Sequence, residues 1–72
     1  MEKERQFKDI LAEFLRLSDI KQVEFAEKTG IHFGTISGWL KGRSKPDYDS
    51  LKRMVLNLEA HANYWLGIDD VY

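Results

Sequence analysis

Few residues in this 72-residue chain are of types that perform chemistry on a substrate or a metal. It has no cysteine and two histidines, His32 and His61, which fall on different segments without carboxylates at ligand-like spacing. No nucleophile stands beside a base, and no glycine-rich phosphate loop is present. The sequence therefore predicts no enzyme, no metal site, no cofactor and no small-molecule substrate.

Clustered positive charge is a stronger chemical signal. The whole chain carries a net charge of −1, yet only Asp47 and Asp49 oppose the positive residues of segment 41–53, so the rest is net negative. Phosphate binding depends on local rather than total positive charge, so a polyanionic partner such as DNA remains compatible with this composition. The positive residues of the segment are Lys41, Arg43, Lys45, Lys52 and Arg53.

The spacing of apolar residues predicts that helices position this cluster. Apolar side chains recur at i, i+3, i+4, i+7 and i+8 from Phe7 to Leu15, which is one face of a helix. Gly30 and Gly42 fall where further helical patterns stop, and Asp47 is a good N-cap. No stretch of useful length alternates with a period of two, so we expect no strands. The predicted helices span about 4–17, 22–29, 33–41, 48–57 and 62–66, within one domain over 1–72.

The segment from residue 22 to residue 42 combines an amphipathic helix, a glycine turn and a second short helix. Its inward positions are Ile31, Ile36 and Trp39, and small Ala26 lies between them. A steep helix crossing needs a small residue at the contact, because only then can the two backbones approach closely. This arrangement lets the second helix protrude far enough to enter a DNA major groove.

The stretch IKQVEFAEKTGIHFGTISGWLKG, residues 20–42, resembles the helix-turn-helix of the Cro/C1-type (XRE-like) family of phage-repressor-like DNA-binding domains. The similarity extends over roughly residues 7–68, through Lys45-Pro46, Leu51 and the ending NYWLG at 63–67. It implies a compact, all-α, five-helix lambda-repressor-like fold and a sequence-specific transcription regulator that binds duplex DNA. The matching scaffold positions are Gln22, Ala26, Gly30, Ile31, Ile36 and Gly42.

The resemblance also implies which residues would contact DNA or a second copy. The candidates for base edges are Phe33, Gly34, Thr35, Ser37 and Gly38. The candidates for phosphates are Gln22, His32, Lys41, Arg43 and Lys45. The candidates for a dimer interface are Tyr64, Trp65 and Leu66, for which closure of the monomer core is the alternative. We expect Trp39 and Tyr48 to pack in the core rather than stack on bases.

The reading positions depart from the family pattern. Members often carry glutamine, serine, asparagine or arginine where this chain has Phe33, Gly34 and Gly38. Amides and guanidinium groups bond purines in a bidentate manner, whereas glycine offers no side chain and phenylalanine only an apolar surface that could meet a thymine methyl. We therefore predict few direct hydrogen bonds to bases and a larger share of shape readout. Lys21 also stands where a serine or threonine cap is common.

The overall prediction is a repressor or autoregulator that binds an inverted-repeat operator as a homodimer, encoded by a bacterium, prophage or mobile element. No apolar run approaches membrane-spanning length, so we expect a cytoplasmic, nucleoid-associated protein. The alternative is a protein-interaction module on the same fold, antitoxin-like or partner-binding, which the near-neutral charge and weak reading helix favour. A complete chain would suit a Cro-like protein, and a fragment would suit the DNA-binding part of a larger repressor.

Overall fold

Five α-helices make up the regular structure of residues 5–58 and 60–68, the part of the chain that the computed structural model describes. No strand occurs among these residues, so the predicted all-α class is confirmed. The helices pack α1 against α3 and α5, α2 against α3 and α4, and α4 against α5. Their bounds are α1 Phe7–Ser18, α2 Gln22–Thr29, α3 Phe33–Leu40, α4 Tyr48–Asn57 and α5 Ala62–Trp65.

The helix ends follow from local chemistry. Among the described residues the first helix begins at Phe7, after Gln6 in an extended conformation, and the predicted start near residue 4 lies outside them. The second helix ends at Thr29, and its C-cap is Gly30, whose φ of 74° lies in the left-handed region that glycine adopts without a steric cost. Asp47 caps α4, since its Oδ1 accepts a hydrogen bond of 2.9 Å from the backbone N–H of Ser50.

Aromatic rings form the centre of the core. The ring centroids of Phe14 and Trp65 are 4.8 Å apart, and Phe25 lies 6.2 Å from both rings. These contacts join α1, α2 and α5, and burial of this apolar surface is the main driving force for the fold. The buried apolar side chains are Ile10, Leu11, Phe14, Phe25, Ile31, Ile36, Trp39, Met54, Leu58, Ala60, Tyr64 and Trp65.

Tyr48 is not a core residue, so that prediction is wrong. Its side chain is 74% exposed, and the Nζ of Lys52 lies 5.1 Å from its ring centroid. The buried face of α4 is set by Met54, which follows Tyr48 by six positions and therefore lies about 120° around the helix from it. Trp39, by contrast, is buried as expected, with its ring 5.5 Å from that of Phe7.

Within residues 5–58 and 60–68, no helix has both the length and the apolar character needed to cross a membrane.

Candidate nucleic-acid interface

The turn between α2 and α3 is held by side-chain hydrogen bonds. Thr29 is buried, and its Oγ1 donates to the carbonyl oxygen of Phe25 at 2.9 Å and accepts from the N–H of Ile31 at 3.2 Å. The Nη1 of Arg53 donates to the carbonyl oxygen of Gly30 at 3.1 Å, which ties the turn to α4. The orientation of α3 relative to α2 is therefore fixed by contacts on both sides of the turn.

The first turn of α3 is capped by His32. The Nδ1 of this histidine accepts a hydrogen bond of 2.9 Å from the backbone N–H of Gly34, a role usually filled by a small hydroxyl or carboxylate side chain. An imidazole that accepts through Nδ1 carries its proton on Nε2, where it is a donor. His32 is exposed, so this donor is compatible with the predicted phosphate contact.

Gln22 connects the start of α2 to α3. Its Nε2 donates to the carbonyl oxygen of Phe33 at 3.2 Å and to the Oγ of Ser37 at 2.6 Å. The side chain predicted to contact a phosphate thus already has two partners inside the protein. It stands beside the predicted reading positions and holds two of them in place.

The predicted base-edge residues share the outward side of α3. Phe33 is 48% exposed, Gly34 and Thr35 are exposed, and Ser37 and Gly38 are partly exposed. In the same helix Ile36 and Trp39 are buried and anchor it to the core. The helix therefore presents a surface with small side chains and one large apolar side chain, Phe33.

The two glycines of α3 have different surroundings. A Cβ built on Gly34 would lie 3.1 Å from Nδ1 of His32, so a larger residue there would disturb the cap. A Cβ built on Gly38 would lie 3.5 Å from the Oγ of Ser44, an ordinary van der Waals distance. Nothing in the described part of the chain therefore requires a glycine at position 38.

Positive side chains surround the end of α3. The predicted phosphate residues Lys41, Arg43 and Lys45 are all exposed in the connection that follows this helix. Lys8 of α1 reaches the same place, because a Cβ built on Gly42 would lie 3.2 Å from the Cδ of Lys8. No local pattern indicates Lys8, since the contact joins residues that are distant along the chain.

The predicted dimer residues are separated by the fold. Tyr64 is 0% exposed and Trp65 is 2% exposed, so their side chains offer no surface to a second copy. These two residues close the core of the monomer, which was the alternative to a dimer contact. The physical reason is that the rings fill the space against Phe14 of α1. Leu66 is 55% exposed and remains a candidate.

Two carboxylates with lowered pKa values have structural roles. Hydrogen bonds from Arg5 and then Tyr64 lower the pKa of Glu13, and the Tyr64 Oη to Glu13 Oε1 distance is 2.9 Å. Hydrogen bonds from Ser50 lower the pKa of Asp47. Glu13 links α1 to Tyr64 of α5, and Asp47 caps α4. No cluster of three or more metal-ligating side chains occurs in the portion of the chain that is described.

The chain is similar to a known protein family. A family model described as a helix-turn-helix, HTH_3, matches residues 11–65, which extend from the first turns of α1 to the end of α5. No curated protein and no solved structure matches the chain.

Proposed function

The chain belongs to the HTH_3 helix-turn-helix family of Cro/C1-type DNA-binding regulators, and we propose that it is a transcriptional repressor that inserts α3 into the major groove of duplex operator DNA. Proteins of this regulatory family are typically not enzymes. The proposed partner is double-stranded DNA, with His32, Lys41, Arg43 and Lys45 at phosphates, whereas the Nε2 donors of Gln22 are bound within the protein.

The outward side of α3 is the observation that carries this proposal. At Gly34, Ser37 and Gly38 the outward side of α3 has little side-chain bulk between its backbone and a groove. Glycine lowers helix stability by up to about 1 kcal/mol relative to alanine, and position 38 has room for a Cβ within the protein. The packing of the described residues does not require a glycine at position 38. Close approach of DNA to the backbone at Gly38 would explain why a glycine is present there.

Phosphate contacts would fix the position of α3 in the groove. Lys41, Arg43 and Lys45 follow the helix directly, and Lys8 adds a fourth positive charge beside Gly42. Contacts to phosphates supply most of the affinity that does not depend on sequence. Sequence would be read by few direct bonds, with Thr35 and Ser37 as polar groups and Phe33 as a partner for a thymine methyl. Shape readout would supply the remainder.

A homodimer on an inverted repeat completes the proposal. Leu66 and Ile68 are exposed apolar side chains that follow α5, and they are the surface we propose for contact between copies. Two copies related by a two-fold axis would place their α3 helices about one DNA turn, roughly 34 Å, apart. The biological setting we propose is the nucleoid of a bacterium, with the gene in a prophage or mobile element.

Selection of duplexes from a random pool tests the proposal directly. We expect an enriched inverted repeat, whose half-site spacing reports the dimer. Affinity of the unmodified protein for that site should fall steeply as the salt concentration rises. In Arg43→Ala the magnitude of the slope of log K against log salt concentration should be smaller by about 1. Arg16→Ala, which removes an equal charge from α1 outside the proposed surface, is the matched control and should leave the slope unchanged.

A protein-interaction module is the second candidate, because Phe33 is half exposed and the net charge is −1. The same measurement separates the two functions. Absence of duplex binding even at low salt would overturn the repressor proposal and favour a surface for a protein partner on α3.

A further inference from the structure

The orientation of the Gln22 amide is set by a backbone carbonyl. One terminal atom of this side chain lies 3.2 Å from the carbonyl oxygen of Phe33, which can only accept a hydrogen bond. The atom that faces this carbonyl must therefore be the nitrogen, Nε2, although amide nitrogen and oxygen are often hard to tell apart. The same Nε2 lies 2.6 Å from the Oγ of Ser37, so the Ser37 oxygen is the acceptor in that bond.

Within residues 5–58 and 60–68, this bond leaves the proton of the Ser37 hydroxyl without an acceptor. Ser18 and Thr29 donate their hydroxyl protons to the carbonyl oxygens four residues earlier, those of Phe14 and Phe25. No such bond links Ser37 to Phe33, whose carbonyl oxygen receives Gln22 instead. Ser37 is partly exposed, so its proton is available to a group outside the protein.

We propose that Gln22 makes Ser37 a hydrogen-bond donor toward the bases, so that this position of α3 selects against cytosine. The inference rests on the proposed function and names one element of its specificity. Guanine, adenine and thymine each present an acceptor in the major groove, whereas cytosine presents only its amino group, which is a donor. The N–H of Gln22 occupies one lone pair of the Ser37 Oγ and repels a second donor such as the cytosine amino group. Accepting the bond from Gln22 also makes the Ser37 hydroxyl a stronger donor.

Gln22 is a positioning residue in this arrangement, and Ser37 is the residue that contacts the base. Phe33 and Gly38 lie on either side of Ser37 on the outward side of the helix and have no polar side chain that could replace its bond. The effect should therefore be confined to one base position in each half-site. A bond from Ser37 to a phosphate would instead change the affinity for all sequences equally.

The test uses the site obtained by selection, with each of its positions replaced in turn by the other three bases. For the unmodified protein we expect one position at which cytosine weakens binding by about threefold to tenfold, the effect of one lost neutral hydrogen bond. Ser37→Ala should remove this penalty at that position and leave the preferences at all other positions unchanged. Ser44→Ala, which removes an exposed hydroxyl outside α3, is the matched control and should leave the cytosine penalty in place.

Gln22→Met tests the positioning role. This change removes the N–H donor at similar side-chain length, so the Ser37 hydroxyl can rotate and accept a bond from cytosine. We expect a smaller cytosine penalty at the Ser37 position, in addition to any uniform loss of affinity. Thermal unfolding of each variant shows whether it is folded at the temperature of the binding measurement.

Four results would overturn the inference. If the cytosine penalty persists in Ser37→Ala, another residue causes the penalty. If Ser37→Ala loses the same affinity for all four bases, Ser37 contacts a phosphate instead. If both variants keep their fold and Gln22→Met retains the full penalty, the role of Gln22 is wrong. Failure of the unmodified protein to bind any duplex would overturn the proposed function and this inference with it.

Discussion

The Nη1 atom of Arg53 lies 3.1 Å from the carbonyl oxygen of Gly30, and this bond connects α4 to the turn of the helix-turn-helix. The Gly30 residue is in the left-handed conformation that ends α2. Within residues 5–58 and 60–68 this exposed carbonyl would otherwise have only water as a partner. A residue outside the motif therefore helps to determine how α2 and α3 are joined.

Arg53→Ala should lower the free energy of unfolding by about 1 kcal/mol, since it removes a charge-assisted hydrogen bond at an exposed site. Lys52→Ala removes the same charge from the neighbouring position, where the ammonium group lies over the exposed ring of Tyr48, and should cost less than about 0.5 kcal/mol. Urea denaturation of both variants measures the difference. Equal stability of the two variants would show that the bond to Gly30 contributes nothing.

Gly38→Ala should raise the free energy of unfolding by about 0.5–1 kcal/mol, because alanine favours the helix and its Cβ has room beside Ser44. Binding to duplex DNA should weaken in the same variant, since the proposed close approach of the backbone is obstructed. Gly34→Ala is the matched variant and should gain less stability, because its Cβ meets the imidazole of His32 at 3.1 Å. A stabilised Gly38→Ala protein that binds DNA at full affinity would contradict the proposed approach.

His32→Ala should lower the free energy of unfolding by about 1 kcal/mol, the usual effect of losing an N-cap side chain. His32→Asn should retain most of the stability, because asparagine can accept the same bond from the N–H of Gly34. Chemical denaturation of the three proteins provides the measurement. If asparagine is as destabilising as alanine, the capping bond is not what His32 contributes.

Stability should decrease in acid through the carboxylate of Glu13. Its pKa is lowered in the folded protein by the hydrogen bonds from Arg5 and Tyr64, so the ionised form stabilises the fold. This contribution is complete above the unfolded-state pKa of about 4.3 and is lost as the pH falls through the lower folded-state pKa.

Urea denaturation between pH 6 and pH 3 checks this expectation. Glu13→Gln should be less stable than the unmodified protein at pH 6 and should lose less further stability on acidification. Tyr64→Phe removes one of the two bonds, so the pKa of Glu13 measured by NMR should rise toward its ordinary value. An unchanged dependence on pH in Glu13→Gln would assign the acid sensitivity to other groups, among them Asp47.

The helices and the family could be predicted from the sequence because their signals are local. The 3.6-residue spacing from Phe7 to Leu15 reports a helix face, and Gly30 and Asp47 end or begin helices through bonds to near neighbours. The ordered residues from Ile20 to Gly42 similarly sufficed to indicate the helix-turn-helix that the family match supports.

The tertiary structure decided which side chains are exposed and which are already bonded. The sequence predicts Tyr48 in the core, but the neighbours of α4 cover the face of Met54 instead. Tyr64 has a fully buried side chain because α1 covers it. The local sequence around Tyr64 does not predict this contact with a helix more than forty positions away. The bond between Gln22 and Ser37 joins residues fifteen positions apart, so it depends on the angle between two helices. Periodicity thus determines helices, while contacts between distant residues determine the chemistry that their surfaces present.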